Sequence, residues 1–171
     1  RWCIVGHWPV TLYHPHVPSA APLLAEGRHI ASIDGGCSLK VDGQLNALVL
    51  PERPGGAFSW FAYDGLPTAT ALDPQAPSAD SVNIRWGRNA LEVLERGAEL
   101  SLCRHLETGR VLEVLTEYLY VDRGVTRCED STDYRLAVRP GDTLSVVRRI
   151  SDRALVKKDG VTGWYFGRLA H

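Results

Sequence analysis

His7 is the residue of this chain whose type and position most directly suggest chemistry. It follows an apolar segment, residues 2–5, and a glycine, and a Trp-Pro pair comes directly after it. This pattern predicts a short buried strand that ends in a turn and presents one imidazole. A strand end fixes a side chain well, and neutral imidazole is a common ligand of transition metals. His7 is therefore a candidate metal ligand, while a structural histidine is the alternative.

A second group of candidates is the loop formed by Asp34, Gly35, Gly36 and Cys37, which follows an apolar segment at 28–33. A pair of glycines permits positive φ angles and close backbone approach, as a loop that overhangs a site requires. Asp before glycine is also ordinary turn chemistry. Cys37 would need a lowered pKa and a nearby base to be a nucleophile, and the sequence identifies no such base. We expect the loop to lie near a site without carrying out its chemistry.

The order of these motifs resembles the last part of a calcineurin-like metallophosphatase, of the serine/threonine phosphatase and diadenosine-tetraphosphatase kind. The matching pieces are Gly-His-Trp at 6–8, Ile-Asp-Gly-Gly-Cys at 33–37 and Gly-Gln-Leu-Asn-Ala-Leu at 43–48. The resemblance implies that His7 is the last histidine ligand of a two-metal centre holding Mn, Fe or Zn. It also implies that these strands close a catalytic sandwich that hydrolyses a phosphoprotein or a nucleotide phosphoester through a metal-activated water.

The chain departs from that family in its central motifs. Gly-Asp-x-His-Gly, Gly-Asp-x-x-Asp-Arg-Gly and Gly-Asn-His-Glu do not occur in it. One histidine cannot hold two metals, because transition-metal sites need several ligands. We therefore expect the chain to be inactive alone, and to bind metal only with an upstream catalytic portion of the same protein. The absence of Met and the apolar start at residues 1–3 also suggest a piece of a longer protein.

The composition excludes several classes of partner. The chain has 171 residues, is 44% hydrophobic and carries a formal net charge of −1, so no nucleic-acid partner is expected. No apolar run approaches the length of a membrane span, so no membrane partner is expected either. The four cysteines form no Cys-x-x-Cys pair, which argues against a zinc ribbon and makes a reducing, cytoplasmic location the default.

The remaining pattern predicts a mainly β protein in three parts. The resemblance above makes residues 1–52 the terminal strands of an incomplete metallophosphatase sandwich; 53–80 would be a linker with an aromatic hairpin, and 81–171 one or more β-domains, which the resemblance described next implies are SH3-like. The first boundary falls in the Pro- and Gly-rich segment at 51–56. Within these parts, Asp-Gly turns predict two hairpins: one between 28–33 and 45–50, the other between 58–63 and 66–72.

The end of the chain carries a second resemblance. Pro-Gly-Asp-Thr-Leu at 140–144 and the segment 154–169, with its Gly-Trp-Tyr step, resemble a bacterial SH3-type barrel. Such barrels usually serve as binding or docking modules, so a non-catalytic module is the alternative function. Its aromatic residues could line a ligand groove, although aromatics in small β-domains are more often core; these are Trp86, Tyr118, Tyr120, Trp164 and Tyr165. The pair Trp164 and Tyr165 is the candidate binding surface, because adjacent strand residues face opposite ways.

Overall fold

The structure, a computed structural model, describes residues 1–53 and 55–170; Pro54 of the predicted boundary and His171 lie outside the described residues. The described chain is mainly β, as the sequence predicts. Its strands are β1 (Cys3–Val5), β2 (Leu23–Ala25), β3 (Ile30–Ser32), β4 (Leu45–Val49), β5 (Ser59–Tyr63), β6 (Thr68–Ala71), β7 (Asn83–Ile84), β8 (Leu91–Glu95), β9 (Leu100–His105), β10 (Val111–Leu115), β11 (Leu119–Asp122), β12 (Val125–Cys128), β13 (Ser131–Thr132), β14 (Thr143–Arg149), β15 (Ala154–Lys158), β16 (Val161–Tyr165) and β17 (Leu169–Ala170). Short 3-10 helices span Val10–Tyr13, Glu26–Arg28 and Thr116–Tyr118.

The first strands form a small sheet with the order β1-β3-β2, in which β1 runs parallel and β2 antiparallel to β3. The prediction that the strand before His7 is buried is wrong, because all three residues of β1 are exposed. The reason is that β1, an edge strand paired only with β3 among the described strands, places no side chain in any of the three hydrophobic clusters.

Both predicted hairpins are wrong in their pairing. Strand β4 pairs with β5 instead of β3, and β6 pairs with β14 and β17 instead of β5. The first Asp-Gly turn forms, with the Gly43 N–H donating to the Lys40 carbonyl, but it does not return β4 to β3, and Asp42 bonds instead to Thr162 and Lys157, far along the chain. At the second Asp-Gly turn, the Asp64 carboxylate accepts a hydrogen bond from the Leu66 N–H, and the chain then continues into β6, which belongs to a different sheet from β5. Tertiary partners thus overrode local turn signals.

The last third of the chain builds an antiparallel sheet with the order β16-β15-β14-β6-β17. Strand β6 comes from the segment predicted as a linker and hairpin. The pairings among the described strands do not close a barrel, so the SH3-like assignment stays a prediction. The register of β14 shifts between Val146 and Arg148. On the two sides of this bulge, Val146 belongs to one hydrophobic cluster and the partly buried Ile150, just after β14, packs against another.

The middle of the chain forms the sheet β10-β9-β8, the hairpin β11-β12 and the pair β13-β7. The sequence predicts one long strand over 111–121, but the 3-10 helix Thr116–Tyr118 divides it into β10 and β11. This break turns the chain so that Tyr118 and Tyr120 border a cavity. Among the described residues, no helix is long and apolar enough to cross a membrane.

Backbone hydrogen bonds attach the N-terminal segment to the later sheets. The Asn83 N–H donates to the Pro15 carbonyl, the Thr162 N–H to the Pro18 carbonyl, and the Ala20 N–H to the Gly160 carbonyl. The chain between the first 3-10 helix and β2 therefore runs along β7 and β16. This attachment places His7 and the loop after it against the C-terminal half of the protein.

Candidate functional site

His7 lies two residues beyond β1 and has a φ angle of 72°. This left-handed conformation is uncommon for a residue other than glycine. Hydrogen bonds on both sides hold it: the Ile33 N–H donates to the Val5 carbonyl over 3.0 Å, and the Val10 N–H donates to the Asp34 carbonyl over 2.8 Å. The strand end predicted from sequence is therefore present, and both flanks of His7 are tied to β3 and the loop that follows it.

The loop of Asp34 to Cys37 packs tightly behind this turn. The Asp34 carboxylate accepts a hydrogen bond of 2.8 Å from the Gly36 N–H, so Asp34 caps its own turn. A Cβ on Gly35 would lie 2.2 Å from the Gln44 carbonyl oxygen, which explains the need for glycine there. Gly36 has a φ of 75°, and Cys37 is exposed. The loop thus contacts the segment after His7, while His7 and residues 39–42, which come next, line the same cavity.

The metal ligands implied by the resemblance are not complete here. Within 1–53 and 55–170, no group of three or more His, Cys, Asp or Glu residues could hold a metal ion. The described residues therefore do not fit a two-metal centre by themselves. His7 stays a predicted ligand, and the remainder of the ligand set would have to come from outside these residues.

Trp164 and Tyr165 do not form an exposed binding surface; that suggestion is corrected by their burial, with 6% and 0% of each residue exposed. They face opposite ways, as expected, but into two hydrophobic clusters. The Trp164 indole N–H donates to the Thr132 carbonyl, and the Tyr165 hydroxyl donates to the Asp73 carbonyl. Both polar tips are satisfied inside the protein, so the pair is structural.

A buried ionic cluster joins the N-terminal segment to later strands. The Lys40 ammonium donates to the Asp130 carboxylate and lies 3.2 Å from a carboxylate oxygen of Asp42, with only 8% of its side chain exposed. The Thr162 hydroxyl donates to the Asp42 carboxylate over 2.6 Å, and the Lys157 ammonium donates to the Asp42 carbonyl over 2.7 Å. Residues more than a hundred positions apart are thus held together by charge-assisted hydrogen bonds.

The cluster shifts the pKa values of its members. Burial alone would raise the pKa of Asp42, but Lys40 and the hydrogen bond from Thr162 outweigh it, so that pKa lies below its ordinary value. Burial would likewise lower the pKa of Lys40, yet Asp42 and Asp130 raise it. Lys157 differs, because burial dominates and lowers its pKa. Asp42 and Lys40 are therefore held in their charged forms, because each offsets the unfavourable effect of burial on the charge of the other.

A cavity of about 440 Å³ opens beside this cluster. We call it the aromatic cavity, because Trp8, Trp86, Tyr118 and Tyr120 line it. Other lining residues are His7, Pro9, Leu12, Pro18, Leu39, Lys40, Val41, Asp42, Asn83, Asn89, Cys128, Glu129, Asp130, Ser131, Thr132, Val147, Leu155 and Thr162. Of the five aromatic residues suggested from sequence, three line this cavity and two are core. Sequence reasoning missed Lys40, Asp42 and Asp130, because no local pattern marks charges that pair only in the fold.

Comparison with known proteins does not assign a family. A scan against family models gives no match, and neither the curated proteins nor the solved structures contain a significant match to this chain.

Proposed function

We propose that the chain is the C-terminal portion of a metal-dependent phosphoesterase. In this proposal His7 supplies one ligand to a metal centre of Mn, Fe or Zn, and an upstream catalytic portion supplies the others. The substrate is a phosphorylated protein or a nucleotide phosphoester. The chain alone is inactive, because it lacks most of the ligands that such a centre requires.

The supporting observation is the conformation of His7. His7 has a left-handed backbone two residues after a strand, and hydrogen bonds fix the backbone on both sides of it. The point from which its imidazole projects is therefore well defined. Backbone strain of this type costs of order 1–3 kcal/mol and occurs most often at functional sites. The order of motifs that resembles a metallophosphatase supports the same assignment for residues 1–50.

The C-terminal β-region has an accessory role in this proposal. It holds the segment after the Asp34–Cys37 loop through Asp42, which bonds to Thr162 and Lys157. That region is therefore attached directly to the segment that follows the loop. An SH3-like docking function for the same region is compatible with this role.

The experiment uses the full polypeptide that contains the upstream catalytic portion, assayed on p-nitrophenyl phosphate with added Mn²⁺. We expect His7→Ala to reduce the rate at least about 100-fold and to lower the bound metal, since even outer residues of metal sites matter by 10–100-fold. His29→Ala is the matched control, because His29 is also exposed and left-handed, with a φ of 52°. An unchanged rate and metal content in His7→Ala would disprove the ligand assignment.

A second candidate function is a non-catalytic binding module. The aromatic cavity favours it, because cavities of 300–1,000 Å³ with mostly apolar walls and a few polar groups are typical ligand sites. In that case His7 is only a structural residue at the cavity wall. A full polypeptide that binds neither metal nor phosphoester, but retains ligand binding, would support this second function.

A further inference from the structure

We propose that the aromatic cavity binds a small organic cation, such as a quaternary or primary ammonium compound. This inference goes beyond the proposed function, since it concerns a ligand site within the chain itself and requires no metal. It rests on three features of the cavity: the charge of its walls, the arrangement of its aromatic rings, and its size.

The charge of the cavity wall favours a cation. Three carboxylates line it, on Asp42, Glu129 and Asp130, and Lys40 is the one Lys or Arg among the lining residues. Lys40 is already paired with both Asp42 and Asp130. An entering anion would find no free positive partner among these lining residues and would meet the Glu129 carboxylate, which Lys40 does not pair; Lys157, whose ammonium donates to the Asp42 carbonyl, adds to the positive charge beside Asp42. A cation would meet the complementary potential.

The aromatic rings supply the second feature. Trp8 and Trp86 contact edge to face, with ring centroids 5.9 Å apart and planes at 76°, and so form two walls of a corner. They are 43% and 66% exposed, which leaves ring surface free for a ligand. Trp is the aromatic residue that attracts cations most strongly through its ring face.

Hydrogen bonds fix the acidic and aromatic groups relative to one another. The Trp86 backbone N–H donates to the Asp130 carboxylate over 3.1 Å, which ties the main chain at residue 86 to the ionic cluster. The Asn89 side-chain amide donates to the Tyr120 hydroxyl over 3.0 Å and holds that ring at the cavity. The Asp130 carboxylate and the Tyr120 ring are therefore positioned before a ligand arrives, which reduces the entropic cost of binding.

The size of the cavity limits the ligand. A volume of about 440 Å³ lies in the range of small-molecule sites and exceeds what a bare metal ion needs. Apolar lining from Leu12, Val147 and Leu155 suits the alkyl groups of a substituted ammonium ion. The combination of ring faces, alkyl walls and carboxylates matches this ligand class better than a carboxylate or phosphate.

The test is a titration of the chain with choline, in which binding is measured by calorimetry and by tryptophan fluorescence. The matched neutral ligand is 3,3-dimethylbutan-1-ol, which has the same shape without the charge. We expect choline to bind about three-fold to tenfold more tightly, since a cation–π contact at partly exposed rings favours the charged form by roughly that factor. Equal affinity for the two compounds, tighter binding of inorganic phosphate, or no choline binding in the millimolar range would each overturn the proposal.

Two variants locate the site. Trp86→Leu removes one ring wall and Glu129→Gln removes an exposed carboxylate, and each is expected to weaken choline binding several-fold. Phe61→Leu is the control, because Phe61 is 70% exposed on β5 and does not line the aromatic cavity. Near-ultraviolet circular dichroism checks that each variant is folded. Choline affinity unchanged in both cavity variants would refute this location. Because the titration uses the chain alone, its outcome is separate from the His7 experiment.

Discussion

The early half of the chain, before β6, and the later half, from β6 onward, are each stabilised by different interactions. From β6 onward, apolar side chains form three hydrophobic clusters, whose largest fully buried members include Tyr165, Ile84 and Leu144. Of residues 1–53 and 55–67, none is a buried member of these clusters, and buried polar groups make contacts there: the Asn46 amide donates to the carbonyls of Ala20 and Ile33. The early half therefore relies on hydrogen bonds and on attachment to the later half.

The same contrast appears at the surface. The outer face of the β4-β5 hairpin exposes apolar side chains, including Leu45 at 61%, Phe61 at 70% and Tyr63 at 74%. Strand β1 is also exposed along its length. Apolar surface left open at these strands contributes little to the stability of the isolated chain, since stabilisation depends on removing it from water. The early strands therefore depend on their contacts with the C-terminal sheets for stability.

The largest expected contrast is in thiol reactivity. Cys3 and Cys37 of the early half are exposed, whereas Cys103 and Cys128 are buried. Burial raises the pKa of Cys128 to about 12 and also raises that of Cys103, so both thiols lack the reactive thiolate. We expect Ellman's reagent to modify Cys3 and Cys37 at least about 1,000-fold faster than Cys103 and Cys128, because the buried thiols react only when the structure around them unfolds.

The control for this experiment is the unfolded chain, in which all four thiols should react at similar rates. Cys37→Ser should remove one of the fast thiols and leave the slow pair unchanged. Rapid reaction of four thiols in the folded protein would contradict the contrast between the halves.

The next largest effect concerns the ionic cluster that joins the halves. Asp42→Ala leaves Lys40 with one carboxylate partner and removes the acceptor of Thr162. Loss of one partner of a buried ion pair lowers the free energy of unfolding by about 3–5 kcal/mol. Since the Asp42 side chain is 17% exposed, we expect Asp42→Ala to lower it by about 3 kcal/mol, as measured by urea unfolding.

Asp152→Ala is the matched control for this change. Asp152 pairs with Arg153 at the surface, with 56% of its side chain exposed, so its loss should cost less than about 1 kcal/mol. Equal destabilisation by the two variants would show that the cluster does not join the halves.

The smallest expected effect is a pH dependence at the surface of the C-terminal half. The Arg168 side chain and backbone N–H donate to the Asp73 carboxylate and lower its pKa from 3.8 to about 2. Because the folded-state pKa is depressed, this pair contributes stability above about pH 3.8, and the contribution is lost as the pH falls through about 2.

An NMR titration of the Asp73 carboxyl carbon measures this value directly. Arg168→Ala should move the pKa part of the way back towards 3.8, because the backbone N–H at position 168 remains. A pKa near 3.8 in the unaltered protein would contradict the pairing.

The sequence predicted the type of most elements but not their partners. Strands were expected, and found, around β1, β3, β4, β5 and β6, because apolar, aromatic and β-branched residues are concentrated there. The hairpin partners of β4 and β6 were mispredicted. Pairing depends on contacts with distant strands, and no local turn signal encodes those contacts.

The candidate site shows the same division. The sequence alone placed His7 after a strand and identified Asp34 as a turn residue, since backbone chemistry decides both. Only the tertiary structure brought Lys40 to Asp130, enclosed Trp164 and Tyr165, and collected Trp8, Trp86, Tyr118 and Tyr120 around one cavity. The physical reason is that local backbone preferences act over a few residues, whereas burial and charge pairing are decided by neighbours that folding brings together from anywhere along the chain.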